Sequence, residues 1–153
     1  MLSKDIAQAL KRLVAEQDFI CLSTVNQDGM PETRAMINLA SPKLFPNLQG
    51  YFADERFSAY FSTNTSSEKM KHIAGQSNAS VYYYNEKTIE GLSFFGQLTI
   101  VTDKETKKGF WQDDWTMFYP EGVEDPSYTL LKFTPRIYKY YNGKGEFFSG
   151  NIA

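Results

Sequence analysis

The spacing of hydrophobic positions changes along this chain, and the changes mark its elements. Residues 3 to 17 place Ile6, Leu10, Leu13 and Val14 on one face at helical spacing, with Ser3 as N-cap and Asp5 in the first turn. Residues 19 to 26 are rich in β-formers, and Gln27-Asp28-Gly29 supplies a hairpin turn in which Gly29 takes positive φ. The returning strand, 32 to 40, alternates Thr33, Ala35, Ile37 and Leu39 against Arg34, Met36 and Asn38, so Arg34 and Asn38 share a face. Residues 41 to 50 hold two prolines and a glycine and are expected to form a loop before a strand at 57 to 63.

A second helix is predicted from an N-cap at Ser66 to Gly75, with Met70, Ile73 and Ala74 spaced for burial. Residues 80 to 85 and 88 to 102 then read as two long strands, with Gly91 and Gly96 in the second marking bulges or tight bends. Residues 103 to 118 read as helix despite Gly109, and 119 to 126 as a turn-rich connection. Two closing strands are expected on either side of Pro135. This order lacks the βαβ alternation of a doubly wound parallel sheet. It predicts a mainly β (α+β) fold, an antiparallel barrel with peripheral helices, as a single domain over residues 1 to 153.

Composition narrows the chemistry. The 153 residues are 42% hydrophobic and 22% charged, in the range of a globular domain, and the formal net charge of -2 offers no field for a nucleic-acid backbone or an anionic membrane. Charges interrupt the N-terminal apolar pattern and no apolar run reaches about 18 residues, so a cytoplasmic protein without a membrane partner is expected. One cysteine, Cys21, and one histidine, His72, make neither an internal disulfide nor the usual zinc site, and no metal is expected. Cys21 alternates with Ile20 and Leu22 and reads as core, and His72 as a packing or solvent-side residue. Trp111 and Trp115, four apart on the expected helix, read as a core pair or, preferably, a dimer contact. The acidic residues Asp113, Asp114, Glu121, Glu124 and Asp125 read as a solvated loop. At 16%, the aromatic content suits strands and the packing of a planar ligand.

The segment Ser62-Thr63-Asn64-Thr65-Ser66-Ser67-Glu68-Lys69 carries the most chemistry, because a strand ends there in hydroxyl residues and runs into a helix N-terminus. Free backbone N–H groups and the positive end of the helix dipole attract an anion such as phosphate, and Lys69 adds charge. Arg34 is a candidate second cation, since guanidinium matches phosphate oxygens in pairs. The same residues also make an ordinary capped helix start, and spacing alone leaves both readings open.

Taken in order, these segments resemble the pyridoxamine 5′-phosphate oxidase-like superfamily, in particular its general stress protein subgroup. The resemblance rests on residues 24 to 31 followed by Arg34-Ala35-Met36-Ile37, and on Tyr60-Phe61-Ser62-Thr63-Asn64 with Ser66, Ser67 and Lys69. It continues through Gly109-Phe110-Trp111, Phe118-Tyr119-Pro120-Glu121-Gly122, Asp125-Pro126 and Leu130-Leu131-Lys132-Phe133-Thr134-Pro135. It implies an FMN-binding split β-barrel, a homodimer with FMN in clefts at the subunit interface. By position it implies that Arg34 and Lys69 hold the flavin phosphate, that Arg34 to Ile37 run along the flavin, and that Ser62, Thr63, Ser66 and Ser67 lie beside it. Trp111 is a further candidate for contact with the cofactor.

The chain departs from the true oxidases of that family. They carry Arg-Lys where this chain has Glu68-Lys69, a substrate-contacting lysine where it has Leu39, and a C-terminal arginine–histidine segment that it lacks. The resemblance therefore implies an FMN-dependent oxidoreductase of unknown substrate rather than an authentic pyridoxamine-phosphate oxidase. The alternatives are a non-enzymatic flavin-binding stress-response protein and the same barrel holding deazaflavin or haem. An apolar-ligand carrier of the lipocalin kind would leave Ser66 to Lys69 unexplained.

Overall fold

The computed structural model describes residues 2–54 and 56–152. The first helix, α1 (Lys4–Glu16), starts at Ser3, whose hydroxyl accepts a hydrogen bond from the Ile6 amide at 3.3 Å. It buries Ala7, Leu10 and Leu13, while Ile6 and Val14 pack at the margin of the same core. The strands are β1 (Phe19–Val25), β2 (Pro31–Ile37), β3 (Ala59–Asn64), β4 (Asn78–Asn85), β5 (Glu90–Ile100), β6 (Tyr128–Tyr141) and β7 (Phe147–Asn151). They form an antiparallel sheet in the order β2-β1-β4-β5-β6-β3, with β7 also on β6. The sheet curls into a split barrel around Leu22, Phe61, Val81, Tyr83, Leu92 and Phe94. Helix α1 lies against β4 and β5. Its Arg12 reaches Glu90 at 2.6 Å, and the Tyr140 hydroxyl and Thr88 also donate to Glu90. These bonds, led by that from Arg12, hold the Glu90 carboxyl at about 2, far below its usual value.

Strand β6 explains the curl. Its inward residues are Leu131, Phe133 and Pro135, and then the parity switches to Tyr138 and Tyr140, whereas β5 keeps Leu92, Phe94 and Leu98 in one phase. The register between the two shifts at Phe95/Gly96, where Gly96 faces Pro135 and Phe95 faces Ile137, so Arg136 is the additional residue of a bulge. A Cβ on Gly96 would lie 2.0 Å from the Thr134 carbonyl oxygen, so the backbones meet there only because the side chain is absent.

The closing strands expected on either side of Pro135 are thus one continuous strand, and β7 was not anticipated. Its sequence, Phe147 to Asn151, holds a serine and a glycine and has little apolar alternation. The expected strand 32 to 40 ends at Ile37. Asn38 leaves it to donate to the Val14 and Gln17 carbonyls, both at 2.7 Å, closing the C-terminal end of α1. The expected loop at 41 to 50 contains the start of a 3-10 helix, Pro46–Phe52, that buries Leu48. The predicted helix over 103 to 118 is a short α3 (Lys104–Phe110), capped by Asp103, followed by a separate 3-10 turn at Asp113–Met117.

These segments build a second core on the other face of β3 and β6, where Phe45, Leu48, Phe110, Trp115, Tyr119 and Leu130 are buried. The N-terminal half of β6 is therefore buried on both faces. Trp111 and Trp115 meet edge to face at 5.9 Å within this layer, Trp115 buried and Trp111 partly buried, which is the core packing named as one of their two readings. Asp125 is buried rather than solvated and accepts from the Glu121 and Ser127 amides, both at 2.9 Å. Cys21 departs from the core expectation as well. Alternation buries Ile20 and Leu22 and leaves Cys21 half-exposed on the outer face opposite Tyr82.

Gly96→Ala should force the β5 and β6 backbones apart, at a cost of roughly 1–3 kcal/mol as in other overpacked sites. The expected loss in a thermal melt is about 3–10 °C in Tm for a chain of this size. An unchanged Tm would show that the bulge tolerates a side chain.

Candidate functional site

The inward face of the β1–β2 hairpin turns polar at its far end. Leu22 pairs with Arg34 and Thr24 with Glu32, so all four side chains share the face that Ile20 and Leu22 line. Arg34 donates through Nη1 to the Leu22 carbonyl at 3.2 Å and to the Thr24 hydroxyl at 2.7 Å. Its Nη2 and Nε have no protein acceptor among the described residues.

The opposite wall comes from the end of β3 and from α2 (Glu68–Gly75). Thr63 has the inward parity of Ala59 and Phe61, and its hydroxyl accepts from Lys69 Nζ at 2.8 Å. Ser67 contacts the same ammonium at 3.3 Å. Ser67, not Ser66, occupies the N-cap position, yet its side chain caps no amide. The backbone N–H groups of Glu68 and Lys69 have no protein acceptor among the described residues.

The two cations sense one another. Burial lowers the pKa of Lys69, and the positive charge of Arg34 lowers it further. Burial also lowers that of Arg34, with Glu32 and Glu68 opposing part of the effect. Among the described residues, neither cation has a carboxylate within ion-pair reach. The arrangement is a half-buried pair of positive charges beside free helix-start amides, which suits a small, highly charged anion.

Of the residues singled out by sequence, the fold brings Arg34, Thr63, Ser67 and Lys69 together. Met36 shares Arg34's inward face and packs on the main core, while Ala35 and Ile37 point to the outer face. Ser62 faces the second core, where its hydroxyl meets that of Tyr119 at 2.8 Å. Ser66 is exposed and donates to Asn64. Trp111 packs on Trp115, Tyr119 and Tyr128 on the far side of β3 and β6. Leu39 is buried in that second core.

Sequence reasoning missed Thr24, which is fully buried and joins Arg34 to His72 through a contact of 2.7 Å with Nδ1. The signal was present: Thr24 has the parity of Ile20 and Leu22, so alternation puts a hydroxyl on the core face, where it needs partners. His72 is buried under α2 against β1, so the solvent-side option for it does not hold.

The family model for pyridoxamine 5′-phosphate oxidase matches residues 6–142. The fold is similar to a Clostridium acetobutylicum protein related to general stress protein 26 of the pyridoxinephosphate oxidase family. That match has a TM-score of 0.78 at 24% identity and covers 98% of this chain and 96% of that one. General stress protein 26 of Bacillus anthracis matches with a TM-score of 0.70 at 23% identity, over 94% and 97% of the two chains. A haem-binding protein of Mycobacterium smegmatis has a TM-score of 0.70 at 12% identity, over 95% of this chain and 57% of that one. No curated protein matches the chain significantly.

An anion held between Arg34 and Lys69 offsets the repulsion that lowers the Lys69 pKa. The Lys69 ammonium, followed by the NMR shift of its Cε, should therefore titrate below an ordinary lysine in phosphate-free buffer and move upward when inorganic phosphate is added. Affinity for phosphate should fall as pH rises through the lower of these midpoints. A midpoint indifferent to phosphate would remove the anion reading.

Proposed function

The chain belongs to the pyridoxamine 5′-phosphate oxidase family, and from that premise we propose that it binds FMN between Arg34 and Lys69 and acts as an FMN-dependent oxidoreductase. One observation carries the reading: two half-buried cations converge with no carboxylate in ion-pair reach among the described residues, beside amides that lack acceptors. A phosphate monoester supplies both the charge and the oxygen acceptors that this donor set is missing. The segment Arg34 to Ile37 lies on β2, an edge strand, whose unpaired backbone groups are available to the polar edge of a planar ring.

Bound FMN supplies the hydride or electron transfer, and the protein's task is to hold and orient it. Thr63 and Ser67 fix the Lys69 ammonium, and Thr24 with the Leu22 carbonyl fixes the Arg34 guanidinium, so both are preorganised for the phosphate. Haem is the weaker reading, because the one imidazole in the sequence is buried and its outward nitrogen faces two carboxylates.

A homodimer is supported by the outer sheet face. Strand pairing aligns Ile37 with Phe19, Ala35 with Cys21, Cys21 with Tyr82, and Phe95 with Ile137 on one surface. Phe19, Ile37, Tyr82, Tyr84, Phe95 and Ile137 are all exposed there. An apolar cleft of about 350 Å³ opens on the same face beside Tyr82 and Phe147. A contiguous apolar surface of this kind needs a partner, and a second copy would cover it isologously.

Fluorescence titration should give tight binding of FMN and weaker binding of riboflavin. Arg34→Ala and Lys69→Ala should each weaken FMN about ten- to a hundredfold, the worth of one charged hydrogen bond, and barely affect riboflavin. Equal losses for both flavins would refute the phosphate assignment. Reduction of the bound flavin by NADH or NADPH separates an oxidoreductase from a flavin-binding stress protein. Sedimentation of the flavin complex should show a dimer, which Tyr82→Glu disrupts. A monomer that retains flavin would contradict the shared interface.

A further inference from the structure

Beside the anion cradle, and independent of its flavin reading, a second constellation stands on the hairpin and α2. His72 Nε2 lies 3.4 Å from Glu32 Oε2, and ligand atoms of Glu32, Glu68 and His72 all fall within 4.8 Å of one another. The imidazole is 6% exposed, and its outward nitrogen faces these two carboxylates. We propose that Glu32, Glu68 and His72 form a binding site for a divalent transition-metal ion of the zinc class.

The His72–Glu32 separation is longer than the roughly 2.7–3.2 Å of an N–H···O hydrogen bond. It matches the edge of a tetrahedron whose ligands lie about 2.0–2.1 Å from a central ion, which is about 3.3 Å. The outer contacts are also those of a metal site. Nδ1 of His72 meets the Thr24 hydroxyl at 2.7 Å, a contact in which either atom can donate, and an ion bound at Nε2 selects the tautomer with the proton on Nδ1. Asn26 donates to Glu32 Oε2 at 2.9 Å and orients that carboxylate. A surface pocket of about 290 Å³ opens on Glu32, Glu68 and His72 and gives an entry path, with Lys71 and Asp28 at its border.

Three ligands leave a fourth position for water or an anion oxygen. An imidazole among two carboxylates favours zinc-class ions over magnesium or calcium, which take oxygen ligands alone. The sequence-based exclusion of metal counted histidine and cysteine, and so overlooked a set in which carboxylates from two distant segments complete one histidine.

The test is calorimetric titration of the flavin-free protein with zinc, alongside imidazole nitrogen NMR. Expected are one zinc per chain, a shift of the His72 Nε2 resonance with Nδ1–H retained, and no competition from excess magnesium. Glu68→Gln, a change at an exposed side chain, should abolish stoichiometric binding. Thr24→Val should weaken it about 10–100-fold, the usual cost of losing the outer partner of a metal-bound imidazole. His72 resonances unmoved by zinc, or Glu68→Gln binding as the unaltered protein does, would overturn the proposal. Because flavin is left out, a failure here is distinct from a failure of FMN binding.

Discussion

The close approach of β5 and β6 at Gly96 is the constraint on which the rest of the molecule depends. With the order β2-β1-β4-β5-β6-β3, Arg34 and Thr63 sit on opposite edge strands, separated by five strand spacings. In a flat sheet that is about 24 Å at roughly 4.8 Å per spacing, too far for two side chains to meet. Curling the sheet closes this gap, and the shift of β6 around Arg136 is where the curl is sharpened. Lys69, bonded to Thr63 on one edge strand, then lies near enough to Arg34 on the other for that positive charge to lower its pKa.

The polar end of the barrel is organised around Thr24. A fully buried hydroxyl is stable only if partnered, and this one accepts from Arg34 while contacting His72. It therefore joins two neighbouring charge systems, the cationic pair facing α2's first turn and the Glu32-Glu68-His72 group beside it. Glu68 belongs to both, since it offsets part of the burial penalty on Arg34 and faces the imidazole. The acidic residue that looks like a defect in a phosphate site when read along the sequence has neighbours that give it its own chemistry.

The two faces of the sheet have different fates. Inward residues fill the barrel, while the outward residues of β3 and the first half of β6 are covered by the 3-10 helix Pro46–Phe52, by α3 and by the turn Asp113–Met117, a layer that buries Phe110 and Trp115. Among the described residues, none covers the outward side of β1, β4 and the second half of β6 in this way, and Phe19, Tyr82, Tyr84 and Ile137 stand exposed there. One chain thus covers half of its sheet itself and leaves the other half apolar.

Much of this was legible in the sequence, where local chemistry decides. Period 3.6 and Ser3 specified α1, period 2 and Gly29 specified the first hairpin, and the hydroxyl-rich approach to α2 pointed to the segment where Thr63 and Ser67 meet the Lys69 ammonium. The ordered motifs from Arg34 to Pro135 identified the family. What the sequence left open depends on which strand lies beside which. Strand β6 passes through Pro135 because a bulge absorbs the irregularity, and β7 exists because β6 offers it an edge. Ser62 turns to the second core, away from the cation pair, because β3 alternates at a sheet with two buried faces, and Trp111 joins that core from the end of α3. Only the tertiary structure could bring Glu32, Glu68 and His72 to one point. Their proximity follows from long-range pairing and curl, and no periodicity along the chain encodes it.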